Sequence, residues 1–148
     1  MLKPNDGWLE HIEIDFEPRC DDKPVPPQLR SIFDEFLSAL DENGFSMRIN
    51  SDVMKNGLQA AGFVDIKEEL LQIPVSEWSG EGKFDEFSRW MQLAVTKDLR
   101  TLFLGPLSRV KRRSEEEIEN YIKTAKHELC ELENRVYMKV YVQPHCGF

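Results

Sequence analysis

In the segment Trp8-Leu9-Glu10-His11-Ile12-Glu13-Ile14-Asp15-Phe16, ionisable side chains recur at every second residue: His11, Glu13 and Asp15. A strand alternates its side chains between two faces, so this trio shares one face with Leu9, and Trp8, Glu10, Ile12, Ile14 and Phe16 share the other. Histidine titrates near neutrality, and beside carboxylates it can exchange protons at working pH, which makes the trio a candidate set of general acid and base groups. The plainer reading is a wet strand face, because most ionisable residues on strands simply meet solvent.

Aromatic residues supply the second candidate set. Trp8, Trp78, Tyr137 and Tyr141 can line a pocket for an apolar, partly unsaturated ligand, with indole N–H or phenol O–H groups fixing its carbonyls. Trp78 stands out because it lies in a loop beside Pro74 and two glycines, where a large side chain has less structural reason to be. Phe84 and Trp90 repeat at helical spacing and read as ordinary core. Arg109, Lys111, Arg112 and Arg113 can hold a phosphate or carboxylate, or form a solvated loop balanced by the glutamates that follow. His127 and His145 have no partner at useful spacing, no His/Cys/Asp/Glu cluster has metal-ligand spacing, and no nucleophile elbow supports a serine triad. Gly80-Glu81-Gly82 lacks a third glycine and a preceding apolar strand, so it reads as a plain loop.

The elements that must position these groups follow from period and punctuation. Pro4 and Asn5-Asp6-Gly7 predict a turn feeding the first strand. A polar, proline-bearing loop over residues 17–27 leads to an amphipathic helix over 28–43, seamed by Leu29, Ile32, Phe33, Phe36, Leu37 and Leu40 and stopped at Gly44. Residues 45–49 fit no pattern. Asn50 or Ser51 caps a second helix to about Ala61, and residues 63–73 are rich in β-formers up to Pro74. A long helical stripe then runs through Phe84, Phe87, Trp90, Met91, Ala94, Val95, Leu99, Leu102 and Phe103 and stops near Gly105-Pro106. Ser114 with Glu117 forms a capping box for a helix whose seam is Ile118, Tyr121, Ile122, Ala125, Leu129 and Leu132. Residues 135–142 alternate as a closing strand, ended by Pro144.

With 148 residues and 41% hydrophobic content, the chain fits a single domain over 1–148, of a size that buries roughly 70% of its unfolded surface. A net charge of −8 argues against nucleic acid or anionic membrane as partner, since both attract clustered cations. Cys20, Cys130 and Cys146 are odd in number and widely spaced, which points to a reducing compartment. No apolar run approaches the roughly 20 residues of a membrane span, and no leader pattern opens the chain. The expectation is a soluble cytoplasmic protein.

The stretch Leu2-Lys3-Pro4-Asn5-Asp6-Gly7-Trp8, with its acidic-ended strand and the continuation Asp15-Phe16-Glu17-Pro18-Arg19-Cys20-Asp21-Asp22, resembles a segment midway through class I S-adenosylmethionine-dependent methyltransferases. More narrowly it resembles the fungal secondary-metabolism methyltransferases of the LaeA-like type. Further matches follow in order: Leu58-Gln59-Ala60-Ala61-Gly62-Phe63-Val64-Asp65-Ile66, Ile73-Pro74-Val75-Ser76-Glu77-Trp78, Glu116-Glu117-Ile118, and Val136-Tyr137-Met138-Lys139-Val140-Tyr141-Val142. The resemblance covers nearly the whole chain but only the back half of the family's domain.

It implies a truncated Rossmann-like α/β or α+β unit: a small three-stranded mixed sheet with about four helices, the last strand inserted antiparallel between the other two. The family holds its cofactor through a glycine-rich turn and an acidic residue in its front half, and neither has a counterpart here, so no cofactor is expected. The outer edge of the first strand pairs, in the complete fold, with a strand absent from this chain, and a homodimer through that edge is the expectation. Three functions fit. One is a cofactor-free, pericyclase-like cyclase or isomerase acting on a hydrophobic polyketide or terpenoid intermediate, with His11, Glu13 and Asp15 catalytic and Trp8, Trp78, Tyr137 and Tyr141 binding substrate. The second is a non-catalytic interaction protein, and the third is one half of a split methyltransferase.

Overall fold

Pro27 opens the first helix, where a missing N–H costs nothing and a fixed φ is already helical. The computed structural model describes residues 8–78 and 82–147. The elements run β1 (Trp8–Arg19), α1 (Pro27–Glu42), α2 (Ser51–Ala60), β2 (Glu69–Pro74), α3 (Gly82–Arg109), α4 (Glu115–Cys130), a 3₁₀ turn (Leu132–Asn134) and β3 (Tyr137–Gly147). The expected turn at Pro4 to Gly7 and the side chains of Trp8, Phe84 and His145 lie outside the described residues.

α1, α3 and α4 pack on one another around a single core. From α1 come Leu29, Ile32, Phe33, Phe36 and Leu37, from α3 Val95, Leu99, Phe103 and Leu107, and from α4 Ile118, Ile122, Ala125 and Leu129. Phe33 meets Phe103 edge-on at 5.6 Å and Phe36 lies 4.8 Å from the same ring. α4 carries the expected capping box between Ser114 and Glu117. In α2 the Asn50 side chain accepts from the amides of Asp52 and Val53, and no residue of that helix is buried.

Local readings change at several points. α3 continues through Pro106 to Arg109, although a proline inside a helix costs about 3 kcal/mol. Phe103 and Leu107, both fully buried, flank it, and burial of each side chain contributes about 1.5–3 kcal/mol, so continuing the helix is favoured. The core seam of that helix is narrower than the stripe suggested. Trp90, read as core, is 63% exposed, and Phe87 and Leu93 are exposed as well; Trp90 sits five residues before Val95, roughly 140° away around the helix. β2 starts at Glu69 instead of residue 63, because Asp65 adopts φ 54°, a left-handed conformation that interrupts an extended chain.

The sheet order is β1-β3-β2, with β3 central and antiparallel to both neighbours. Glu13 is opposite Tyr141, which is opposite Leu70, and Ile14 is opposite Val140, which is opposite Leu71. β3 also runs on past Pro144, where a stop was expected. Beyond Val142 it has only β1 beside it, and the register slips between Leu9 and His11, so the missing donor falls where the ladder is open. The helices cover the face holding Met138 and Ile73, both buried, but their cover thins toward the start of β1, where Ile12 is 56% exposed.

Candidate functional site

His11 sits on β1 directly opposite Gln143 of β3, and directly opposed residues share a face. The imidazole Nδ1 lies 2.9 Å from the Gln143 side-chain oxygen, and Nε2 lies 3.1 Å from a Glu13 carboxylate oxygen. Gln143 is fully buried and donates its amide to Glu68 at 3.0 Å. Glu68 in turn accepts from the Ser51 hydroxyl at 2.8 Å and pairs with Lys55 at 3.0 Å. Partial burial pushes the Glu68 carboxyl up, but the bonds from Lys55 and Ser51 outweigh it, and its pKa falls below the usual carboxylate value. A polar chain therefore runs from Glu13 through His11, Gln143 and Glu68 to Lys55, linking β1, β3 and α2.

Asp15 does not join it. Although two residues along on the same strand, it is 1% exposed and engaged by Arg19 Nη2 at 2.8 Å and by the Glu17 amide at 3.1 Å. Glu17 bridges the same Arg19 to Arg30, so the end of β1 is tied to α1 by a separate ionic group. Of the predicted acid and base residues, the fold brings together His11 and Glu13 and sets Asp15 apart.

The aromatic residues are divided in the same way. Tyr141, half-buried, is the cross-strand neighbour of Glu13. Tyr137 is buried, and its hydroxyl donates to Asp21 at 2.6 Å. Burial first and that hydrogen bond second push its pKa up to about 12. The Trp78 indole donates to the Val136 carbonyl at 3.0 Å, which explains a large aromatic in a loop: it pins the loop after β2 to the start of β3. Two members of the basic stretch are engaged in ion pairs. Lys111 bonds Glu42 of α1, and Arg113 bonds Glu35 of α1 and Glu117 of α4 while lying over the Tyr121 ring.

Gln143 and Glu68 escaped the sequence reading. The alternation of Tyr137, Lys139 and Tyr141 places Gln143 on the same face one step further, so period two was a usable signal. Glu68 carries none, because its role depends on the turn at Asp65.

A groove of about 420 Å³ between α1 and α4 is lined by Pro27, Gln28, Ser31, Ile32, Asn120, Tyr121 and Thr124. Among the described residues, none of the predicted site residues lines it. A recess of about 310 Å³ beside β1 includes Glu13 together with Ile12, Ile14, Phe16, Ser46, Met47 and Ile49. Among the described residues no group of three or more His, Cys, Asp or Glu is placed to hold a metal ion, and no helix is long and apolar enough to cross a membrane. The connection from β1 to α1, residues 20–26, contains Pro24 and Pro26 and no glycine, and the helix opens on Pro27, so it is not a glycine-rich turn of the kind that cradles a nucleotide.

No protein-family model matches the chain, and no solved structure matches it. Sequence relatives do. The chain is 35% identical over 143 residues to the "Secondary metabolism regulator LAE1" of Pyricularia oryzae, covering 95% of this chain and 44% of that protein. It is 33% identical over 144 residues to the regulator of the same name from Cochliobolus heterostrophus, of which it covers 47%. It is also 33% identical over 138 residues to the "Protein-methionine methyltransferase laeA" of Chaetomium globosum, covering 92% of this chain and 43% of that protein. The chain thus spans less than half the length of these curated relatives. With that identity sustained along nearly all its residues, on a fold compatible with a truncated methyltransferase half, the chain is a homologue of part of the proteins named LaeA/LAE1 secondary metabolism regulators.

Proposed function

We propose that this chain serves fungal secondary metabolism as a methyltransferase-like regulatory component that acts by binding other proteins, with no bond-making of its own at His11, Glu13 and Asp15. The observation that carries this reading is that the predicted acid and base groups, His11, Glu13 and Asp15, are already engaged by other side chains of this chain. His11 has an acceptor opposite each ring nitrogen. Asp15 is buried against Arg19, the Tyr137 hydroxyl is held by Asp21, and the Trp78 indole by Val136. The relatives, regulators by name in most cases, point the same way.

A cofactor-free cyclase or isomerase needs a free acid or base facing an apolar pocket. The groove between α1 and α4 is lined by none of His11, Glu13 and Asp15, and in the apolar recess beside β1 the one carboxylate, Glu13, is engaged by His11.

Segment exchange tests the proposal. The matched part of the Pyricularia oryzae regulator is replaced by this chain, and secondary-metabolite output is measured with and without His11→Ala and Glu13→Ala. Output kept by both variants supports a binding role; its loss in a variant that still folds returns the site to acid–base chemistry. Calorimetry on the isolated chain is expected to give no saturable S-adenosylmethionine binding at micromolar concentration. Binding that emerges only on adding the rest of a relative's chain favours a split methyltransferase.

A further inference from the structure

Among the described residues, two side-chain hydroxyls are fully buried and meet no hydrogen-bond partner in the chain: Ser76, in the turn after β2, and Ser88, on α3. Buried polar groups are nearly always paired, with protein or with ordered water, because their desolvation is otherwise uncompensated. Ser88 has a local partner within reach and does not use it. Thr96 and Ser108 of the same helix donate back to the carbonyls of Gln92 and Leu104, four residues earlier, a bond open to any helical serine. Ser88 makes no such bond, so its hydroxyl is left for the interface that α3 forms.

The two serines belong to one joint. Ser88 precedes Val95 by seven residues and Leu99 by eleven, which sets it within roughly 20° of both around the helix, so it continues their buried seam toward the start of α3. Val75, next to Ser76, packs in the same core cluster as Val95 and Leu99. On the outer side Glu77 pairs with Arg89 at 2.6 Å, and these are the residues that follow the two serines. The turn after β2 is fastened on its other side, where the Val75 amide and the Trp78 indole both donate to the Val136 carbonyl at 3.0 Å. The Ser76 hydroxyl takes part in neither tie. Both hydroxyls are enclosed by residues of this chain alone.

We infer that one ordered water bridges the Ser76 and Ser88 hydroxyls and binds the turn after β2 to α3. Water is the ligand whose chemistry fits. A serine hydroxyl donates once and accepts twice, so a water accepts from one serine and donates to the other, and two partners meet the minimum of about two to four that a buried water uses. A cation does not fit, because the adjoining carboxylate, Glu77, is taken by Arg89 and two neutral hydroxyls do not offset the loss of an ion's hydration.

A crystal structure of the chain at a resolution that shows ordered solvent is expected to place one water oxygen about 2.5–3.0 Å from both hydroxyl oxygens. Urea denaturation of Ser76→Ala, Ser88→Ala and the double variant is the solution test. With the water in place, each single substitution strips a hydrogen bond from it and is expected to lower the folding equilibrium constant about fivefold. The double variant is expected to lose less than the product of the two, because the first change has already released the water. Hydroxyls buried dry behave in the opposite way, since removing an uncompensated polar group raises stability. A rise in the urea midpoint for either single variant, losses that multiply in full, or a crystal structure with no water there or with two waters each on one serine overturns the proposal.

Discussion

The side chains of His11 and Gln143 meet at 2.9 Å across the β1–β3 pair, and this contact joins the ionisable face of β1 to the carboxylate of Glu68 on the far side of the sheet. A fully buried amide that makes both of its polar contacts rigidifies a structure, and the same amide with one contact missing weakens it, because desolvation is then uncompensated.

Gln143→Leu is therefore expected to destabilise the chain by about 1–3 kcal/mol, since it strips a partner from His11 and from Glu68 together. His11→Ala, at a half-buried position, is expected to cost less. Urea denaturation followed by circular dichroism ranks the two, and a smaller loss for Gln143→Leu than for His11→Ala contradicts the network described here.

Asp15 predicts a stability defect and no catalytic one. Asp15→Ala leaves Arg19 without its most buried partner, and breaking such a pair from one side typically costs about 3 kcal/mol, somewhat less here because the guanidinium is partly wet. Asp15→Asn keeps the shape and is expected to recover part of the loss. Equal stability of the alanine variant and the parent protein in urea contradicts the assignment.

The carboxylates predict an acid limit. Glu35 is held below the usual carboxylate range, first by its bonds to Arg113 and also by the Tyr121 hydroxyl, and Glu68 is lowered as well. For a depressed carboxylate the unfolded chain binds the proton more readily, so the stabilisation is present above the unfolded value near 4.5 and is lost as pH falls through the folded value. Melting temperature is expected to drop below about pH 4.5, and Glu35→Gln is expected to flatten that drop.

Tyr137 predicts the opposite limit. Its pKa rises to about 12 from 10.0, so the folded state favours the neutral phenol, and that contribution is complete below pH 10 and lost as pH climbs toward 12. Tyr137→Phe is expected to remove this part of the alkaline destabilisation in a pH series of thermal melts.

Much of this architecture was determined by local sequence. The 3.6-residue seam of α1, the capping box at Ser114, the Asn50 cap and the alternation of β1 and β3 are short-range patterns, and each predicted its element. The order β1-β3-β2 came from the resemblance rather than from period or spacing. Three things were decided only by tertiary structure. Pro106 stays helical because Phe103 and Leu107 are buried on either side of it, and burial is a property of the partners, which a local stop signal does not contain. Trp90 faces outward because α1 and α4 cover only part of α3. The candidate site itself was divided: period two placed His11, Glu13 and Asp15 on one face, but Arg19 claimed Asp15 while Gln143 and Glu68, from distant segments, claimed His11. Sequence spacing fixes which side chains share a face; which of them share a hydrogen bond depends on what the rest of the chain brings to that face.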